Sequence, residues 1–222
     1  MIKIEKIETY GWEAAIRGMR NPMNSWDKSD SEFEYQRYNS ETEDFDCFPC
    51  VKIGENDLAL AKKLTQAGPD HRKFLRQIFV SMDITAPLYW WKEYDTYKVG
   101  TVSNSCSTMH KIHEKEFTLD DFSHEHLAHQ TKEVLQMVID DLNDSRSIYL
   151  KTKNKGDWWQ MIQLLPTSYN QMRTVTLNYE ALYNMYHARK IHKLDEWQRF
   201  CDTISDLPYF DDLIIAKGVT GC

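Results

Sequence analysis

The segment over residues 78–84 constrains the fold more than any other part of the sequence. Apolar residues take every second position, and Ser81 and Asp83 stand between them. This alternation predicts a strand with one face buried. Pro87 follows, and its fixed φ suits a first helical turn, so the pattern predicts a helix over residues 88–94 with Thr85 as its N-cap.

Four further elements are predicted in the part of the chain that precedes this strand. Residues 2–10 alternate like a strand, and residues 12–19 have the spacing of a helical turn. Residues 24–55 are polar, acidic and weakly periodic, which predicts a long loop or lid. Residues 57–67 present an apolar helical face, and Gly68 follows where a C-terminal cap belongs.

The second half of the sequence has the spacing of amphipathic helices. A long helix is predicted from Leu127 to Leu142, with Ser123 as its cap. Shorter helices are predicted at residues 158–165, at residues 182–186 and at residues 194–204. Because we find no internal repeat or linker, the sequence predicts one α+β domain over its full length.

Composition excludes several classes of protein. The 222 residues contain 27 Lys and Arg against 34 Asp and Glu, a net charge of −7, which argues against a nucleic-acid binder or a binder of anionic membranes. No apolar run at the N-terminus is long enough for a signal peptide or membrane span, so we expect a soluble cytoplasmic protein. An odd number of cysteines, five, favours reduced thiols.

Two groups of metal-ligating residue types suggest chemistry of their own. Cys47 and Cys50 have the spacing of a dithiol redox centre or of half a zinc site, but they stand in an acidic irregular stretch without a second pair, which favours ordinary thiols. Neighbouring histidines could offer metal ligands from one helical face, although solvated or capping roles are the default and no metal is predicted. These candidates are His110 and His113 with Glu114, and His124, His126 and His129.

A polar run at residues 100–107 has no core pattern and predicts a loop presented to a ligand. The side chains that could bind an anion there are Lys98, Thr101, Ser103, Asn104, Ser105 and Ser107. Arg173 and Arg189, expected on later helical segments, could complete a pocket for a nucleotide phosphate. A flexible loop, with both arginines on the surface and paired to acids such as Glu180, explains the same residues equally well.

The order of these pieces resembles a known family. In sequence order they are Gly68 with His71, the strand at 78–84, the run around Asn104 and Ser107, Leu165 with Pro166, Asn178, Arg189 and Glu196. The flavin-dependent thymidylate synthases show a helix ending in Gly-His, a strand and the signature R-H-R-x-x-S-x-N-E-x-S-x-R-Y. They then show Leu-Pro, an Asn before a long helix, an Arg about eleven residues later and a Gln-x-x-Glu-type helix. The resemblance extends over roughly residues 56–206.

This resemblance implies a fold, a ligand and an assembly. The family is homotetrameric and methylates dUMP with FAD, NADPH and methylenetetrahydrofolate. The implied fold is α+β and like that of the thymidylate synthase-complementing proteins, with a central antiparallel sheet, surrounding helices and a helical C-terminal half. The implied nucleotide-binding residues are Arg189, Lys98, Asn104, Ser105, Ser107 and Arg173, and the implied cofactor-binding residues are His71 and Asn178.

The sequence departs from the family at most charged positions of the signature. With Asn104 and Ser107 aligned to it, the changed positions are Tyr97, Lys98 and Val99 for Arg-His-Arg, Val102 for the first Ser, Ser105 for Glu, and Met109 with His110 for Arg-Tyr. Replacing an arginine that binds a buried phosphate with both nitrogens costs a few kcal/mol, on the order of 2 or more. The family's FAD site is therefore not expected to be carried over intact.

Three classes of function follow from these observations. The first is an enzyme in which Arg189, Asn104 and Ser107 orient dUMP beside a flavin. The second is a non-catalytic protein that binds a nucleotide or a nucleotide-derived signal between subunits, which the loss of the charged signature favours. The third is a structural oligomer, in which the aromatic residues, 13% of the chain, serve subunit contacts only.

Overall fold

The fold is taken from a computed structural model, which describes residues 1–34, 37–39, 44–46 and 50–215. The strands are β1 (Lys3–Tyr10), β2 (Glu32–Glu34), β3 (Arg37–Asn39), β4 (Asp44–Asp46), β5 (Cys50–Lys52), β6 (Phe79–Pro87), β7 (Thr101–Ser105) and β8 (Asn170–Asn178). The helices are α1 (Trp12–Arg20), α2 (Glu55–Gln66), α3 (Leu88–Tyr94), α4 (His129–Thr152), α5 (Lys155–Leu164), α6 (Tyr179–Arg189) and α7 (Asp195–Ser205). Short 3₁₀ turns cover Asn21–Met23, Trp26–Lys28, Arg72–Gln77 and Leu119–Asp121, and a π turn covers Asp211–Ile215.

The central sheet has four strands in the order β1-β6-β8-β7. Two side-chain hydrogen bonds give the direction of β6 against β8. Ser81 Oγ lies 2.8 Å from Thr176 Oγ1, and Thr174 Oγ1 donates to Asp83 Oδ1 over 2.6 Å. From Ser81 to Asp83 the chain advances along β6, while the partner on β8 steps back from Thr176 to Thr174. The two strands are therefore antiparallel. The predicted α+β class with a central antiparallel sheet is confirmed.

The chain divides into two compact units. The first unit contains Met1–Ile7, Ser81–Thr176 and His192–Phe200. The second contains Glu8–Val80, Leu177–Ile191 and the described chain from Cys201 onward. The single domain expected over residues 1–222 stays a prediction.

The core of the first unit is rich in aromatic rings. Trp90 lies at its centre, with ring centroids 4.8 Å from Trp197, 4.9 Å from Trp91 and 5.7 Å from Phe200. A second cluster joins α4 and α5 to the chain before them, and its members are Ile112, Phe117, Phe122, Leu135, Ile139, Leu142 and Met161. Three of the seven tryptophans, Trp90, Trp91 and Trp197, therefore form core in this unit.

The second unit packs rings around the start of α6. Tyr179 lies edge-on to Trp12 at 5.1 Å and donates its hydroxyl to the Pro208 carbonyl over 2.8 Å. A buried ion pair joins α1 to α2, with Arg20 Nε 2.5 Å from Asp57 Oδ1. Residues separated widely in sequence are thereby held together by both apolar and ionic contacts.

Several expectations about element ends were wrong. Pro87, not Thr85, is the N-cap of α3, and the first free N–H groups of this helix donate to the carbonyls of Tyr169 and Thr167. Ser123 does not cap α4, whose N-cap is Ala128. The Ser123 hydroxyl instead donates to Asn170 Oδ1 over 2.9 Å and accepts from the N-terminal amine. At α3, bonds to distant backbone carbonyls thus take the place of the side-chain cap that local propensity predicted.

Two segments expected as loops contain strands. Within residues 24–55, β2 pairs with β5 and β3 pairs with β4, both antiparallel. The polar run at residues 100–107 contains β7, an edge strand with mostly exposed side chains. An edge strand is stabilised by backbone bonds on one side, so it need not show apolar alternation. No described helix is long and apolar enough to cross a bilayer.

Candidate functional site

The segment matched to the synthase signature lies on and around β7, in the first unit. Lys98, Asn104 and Ser105 are exposed, and Val99 is 92% exposed. The backbone is tied at both ends, because Thr101 Oγ1 donates to the Tyr97 carbonyl and the Cys106 N–H donates to the Met172 carbonyl over 2.9 Å. The segment therefore presents a short row of amide and hydroxyl groups on an ordered strand edge.

Ser107 follows β7 and borders a small hollow of about 320 Å³. Its hydroxyl accepts from the His110 N–H over 2.9 Å. Two lysines share the lining, but each has an acidic partner: Lys115 lies 2.7 Å from Asp121, and Lys111 pairs with Glu114 outside the lining. These pairs reduce the positive charge that the hollow offers to an anion.

Arg173 was expected on a helix, and this was wrong, because it lies in β8. Its guanidinium is 4.2 Å from the centroid of the Trp91 ring, and Nη1 lies 2.8 Å from Asp95 Oδ1. Nε donates to Gln171 Oε1 over 3.0 Å. The side chain is only 14% exposed. A stacked and ion-paired guanidinium of this kind contributes to the fold, and its charge is largely balanced by Asp95.

His71, in the second unit, borders a cavity of about 730 Å³. The residue precedes the 3₁₀ turn Arg72–Gln77, and its N–H donates to the Gly68 carbonyl over 3.1 Å. Gly68 has a φ of 112°, a conformation that favours glycine, and this turn ends α2 as predicted. The other lining residues are Gly18, Met19, Asn21, Pro22, Met23, Leu64, Asp70, Lys73, Phe74, Arg76 and Gln77.

The cavity of His71 has a mixed lining. Gln77 is held close to α1, since a Cβ added at Gly18 would lie 2.6 Å from Gln77 Oε1. Lys73 and Asp70 carry opposite charges, and Arg76 makes two hydrogen bonds to Glu180. The lining thus offers an imidazole, an amide and one lysine to a ligand, beside apolar surface from Met19 and other residues.

Asn178 and Arg189 mark the two ends of α6, also in the second unit. Asn178 is 8% exposed, and its Oδ1 caps the helix by accepting from the Ala181 N–H over 2.9 Å. Arg189 is the last helical residue and is half-buried. Near this end, burial lowers the pKa of His187, and the charges of Lys190 and Arg72 lower it further. Two cations, Lys190 and Arg72, therefore act on His187 near this end of α6.

The structure brings the predicted residues together in two groups. Lys98, Asn104, Ser105, Ser107 and Arg173 belong to the first unit, and the other three belong to the second. Within the first group, the bond between Gln171 Nε2 and the Cys106 carbonyl, 2.8 Å, joins β8 to the end of β7. Their roles in binding stay predictions.

The candidate metal ligands have other partners. His124 Nδ1 lies 2.8 Å from the Phe122 carbonyl, His126 lies 3.1 Å from Asp195, and His129 lies 3.5 Å from Glu133. Within the described ranges, no three residues of the ligating types are placed to share an ion. The pair Cys47 and Cys50 falls outside the residues whose side chains are described.

Sequence reasoning missed one group of basic residues. His110 and His113 lie beside Lys153 and Lys155 around a hollow of about 300 Å³ that also contains Tyr149 and Trp158. These side chains come from two segments about forty residues apart, so no short motif could have identified them. The local signal in the sequence was a pair of lysines, Lys153 and Lys155, on either side of Asn154, which is the N-cap of α5.

The signature positions do not fit the diphosphate of a flavin dinucleotide in the way that the family motif implies. A diphosphate requires several cations or backbone donors at one point. Tyr97, Val99 and Met109 carry no charge, and Lys98 is the one lysine or arginine between residues 97 and 110. The residues at this segment fit a single phosphate or a neutral polar group better.

Comparisons with known proteins agree on the fold. No family model matches the sequence, and no curated protein matches it. A crystal structure of thymidylate synthase X (ThyX) from Helicobacter pylori with FAD and dUMP is similar to this chain, with a TM-score of 0.67 and 15% identity. The match covers 96% of this chain and 97% of the other. A second structure of flavin-dependent thymidylate synthase ThyX from Helicobacter pylori, complexed with FAD and dUMP, has a TM-score of 0.63 and the same identity, and covers 95% and 98%. The predicted resemblance is thereby confirmed for the fold.

Proposed function

We propose that this chain is a nucleotide-binding protein built on the thymidylate synthase X fold, and that its ligand is a pyrimidine nucleotide of the dUMP type. The observation that carries the proposal is the full-length likeness to a structure that holds FAD and dUMP, with 96% of this chain covered. Likeness at 15% identity concerns the fold, so the ligand class must be argued from the residues.

The residues support binding of one phosphate. Arg189 at the end of α6 offers a guanidinium, which binds phosphate oxygens with two nitrogens. Asn104 and Ser105 on β7 offer neutral donors to a sugar or base, and Ser107 lies at the neighbouring hollow. Arg173 contributes indirectly, because its bonds to Asp95 and Gln171 position the strand next to β7.

The same residues argue for binding without catalysis. The three arginine positions of the synthases' signature are occupied by Tyr97, Val99 and Met109. A cofactor that carries the reaction must be bound tightly and in a fixed orientation. We therefore propose a non-catalytic role, in which a homotetramer of full-length single-domain chains binds the nucleotide in the cytoplasm.

A flavin-dependent thymidylate synthase acting on dUMP is the second candidate. The cavity of His71, about 730 Å³, favours it because this volume is within the range of cofactor sites. In this alternative, His71 and Lys73 would contact FAD, and Asn178 would support the wall by capping α6. A bound flavin would supply the electrons for reduction of the transferred carbon.

One preparation of the full-length chain tests both candidates. The absorbance spectrum of the purified protein, and mass spectrometry of the nucleotides released by heat, identify what is bound. Calorimetry with dUMP, with and without added FAD, then measures affinity. A colourless protein that binds dUMP supports the proposed function.

The other outcomes are equally informative. Flavin absorbance together with methylation of dUMP in the presence of methylenetetrahydrofolate and NADPH would replace the proposal by the enzyme. A protein that releases no nucleotide and binds neither dUMP nor FAD would remove both candidates and leave the structural oligomer.

A further inference from the structure

A hollow at the junction of α4 and α5 combines positive charge with aromatic surface. It is lined by Met109, His110, His113, Tyr149, Lys153, Lys155 and Trp158 and has a volume of about 300 Å³. We call it the basic hollow. All of its residues belong to the first unit, and none of them was assigned to nucleotide or flavin above.

The charges around the basic hollow favour an anion. Four of its seven lining residues are lysine or histidine, and none is acidic. Among the described residues, neither Lys153 nor Lys155 makes an ion pair. The nearby acids are engaged elsewhere, since Glu114 pairs with Lys111 and Asp157 Oδ2 accepts from Thr152 Oγ1 over 2.8 Å. Cations without acidic partners in a concave surface raise the local concentration of anions.

His113 supplies a second, independent observation. Its Nδ1 atom is buried and makes no hydrogen bond within the described part of the chain. The ring is held in place, because it lies edge-on to Tyr149 at 4.9 Å and because the His113 carbonyl accepts from Arg146 Nε over 2.9 Å. A buried ring nitrogen without a partner is costly, and a ligand oxygen would remove that cost.

The backbone of the basic hollow is also ordered. The Asn154 side chain caps α5 by accepting from the Gly156 N–H over 2.7 Å, so the positive end of this helix lies beside the two lysines. Trp158 Nε1 donates to the Met109 carbonyl over 3.0 Å, which ties the segment with the histidines to α5. The site is therefore formed before any ligand arrives.

We propose that the basic hollow binds a small phosphorylated compound. Lys153 and Lys155 would contact the phosphate oxygens, and His113 Nδ1–H would donate a hydrogen bond to one of them. The rings of Tyr149 and Trp158 would contact the organic part. A volume of about 300 Å³ is at the small end of the range for ligand sites, which excludes dinucleotides and favours a monophosphate. This assignment does not depend on the proposed function.

Calorimetry on the full-length protein tests the proposal, with inorganic phosphate and phenyl phosphate as the probes. We expect saturable binding with a Kd of about 1 mM or below, which corresponds to a favourable but modest free energy. The double variant Lys153→Gln/Lys155→Gln should weaken binding by about tenfold or more, the effect of losing charged hydrogen bonds. Tighter binding of phenyl phosphate than of inorganic phosphate identifies an organic ligand, and equal binding identifies phosphate itself.

A matched control removes the same charge outside the basic hollow. Lys92 and Lys151 are exposed and do not line it, so Lys92→Gln/Lys151→Gln should bind within about twofold of the parent protein. As a second measurement, the imidazole NMR signals of His113 should shift on titration with phosphate. Absence of binding in the parent protein, or equal losses in the two double variants, would overturn the proposal.

Discussion

Asp57 should be among the positions at which a conservative change costs the most stability. Asp57 lies in the first turn of α2, and its fully buried carboxylate pairs with Arg20 of α1, which is itself only 4% exposed. Oδ2 accepts from Ser29 Oγ over 2.8 Å, from Ser31 Oγ over 2.6 Å and from the N–H of Asp30 and Ser31, both over 3.1 Å. The substitution Asp57→Asn keeps the size of the side chain but removes its charge.

The expected loss of unfolding free energy follows from the state in which Asp57→Asn leaves Arg20. Arg20 would be left as a buried cation with two contacts to Ser25, one to its carbonyl and one to its hydroxyl. Breaking a buried ion pair from one side costs about 3–5 kcal/mol, because the other charge loses its compensation. A control on α1, the helix that carries Arg20, is Glu13→Gln, which removes the exposed pair with Arg17 and should cost only about 0.3–0.5 kcal/mol.

The effect of Asp57→Asn should depend on pH. Burial alone would raise the pKa of Asp57, but hydrogen bonds from Ser31, Ser29, Arg20 and the Asp30 N–H outweigh it and lower the pKa below its usual value. A carboxyl with a lowered pKa in the folded state stabilises the protein fully above its unfolded pKa, about 3.9. That contribution is lost as the pH falls through the folded pKa.

Urea unfolding followed by circular dichroism measures these differences. At pH 7 the free energy of unfolding of Asp57→Asn should fall by about 3–5 kcal/mol, and the difference from the parent protein should shrink as the solution is acidified below pH 4. A loss no larger than that of Glu13→Gln at pH 7 would refute the reasoning about the buried pair.

Three further predictions concern the site, the thiols and a turn. Arg189→Ala should weaken dUMP binding by about 2 kcal/mol with the fold intact, and unchanged affinity in calorimetry would remove Arg189 from the site. Burial raises the pKa of the Cys201 thiol to about 12, so at pH 8 a thiol reagent should modify exposed Cys106 and spare Cys201, as read by peptide mass spectrometry. Gly11→Ala should destabilise the protein more than Gly68→Ala, because only the first adds a Cβ within 2.0 Å of a carbonyl oxygen, and equal melting temperatures would contradict this.

The elements that could be predicted from the sequence are those with a buried face. β6 and α3 lie in the core of the sheet and the aromatic cluster, so their burial imposes a periodic pattern on the sequence. β7 could not be predicted, because most of its side chains point to solvent and only backbone bonds define it. β2 and β4 alternate acidic and aromatic residues, but a run of three residues is too short to distinguish a strand from a loop by its pattern.

The contacts that the candidate site residues make could not be predicted from the sequence. The sequence places Arg173 and Asp95 far apart, and their ion pair exists only because β8 returns past the end of α3. His113 and Lys153 are also far apart in the sequence. They line the same hollow because α4, which separates them, brings the chain back to His113 at its C-terminal end. Contacts over such separations are set by the packing of whole elements, and local sequence carries no record of them.

The cationic residues that we assigned to a nucleotide phosphate have different surroundings in this fold. Arg173 is stacked on Trp91 and balanced by Asp95, so removing it would disturb β8 before it affected a ligand. Lys98 is exposed, and an exposed lysine alone binds phosphate weakly because water and salt screen it. Of the cations assigned to a phosphate above, Arg189 and the lysines of the basic hollow are therefore the ones that we expect to determine its affinity. If dUMP affinity survives Arg189→Ala but is lost in Lys153→Gln/Lys155→Gln, the phosphate of dUMP binds at the basic hollow and not at the end of α6.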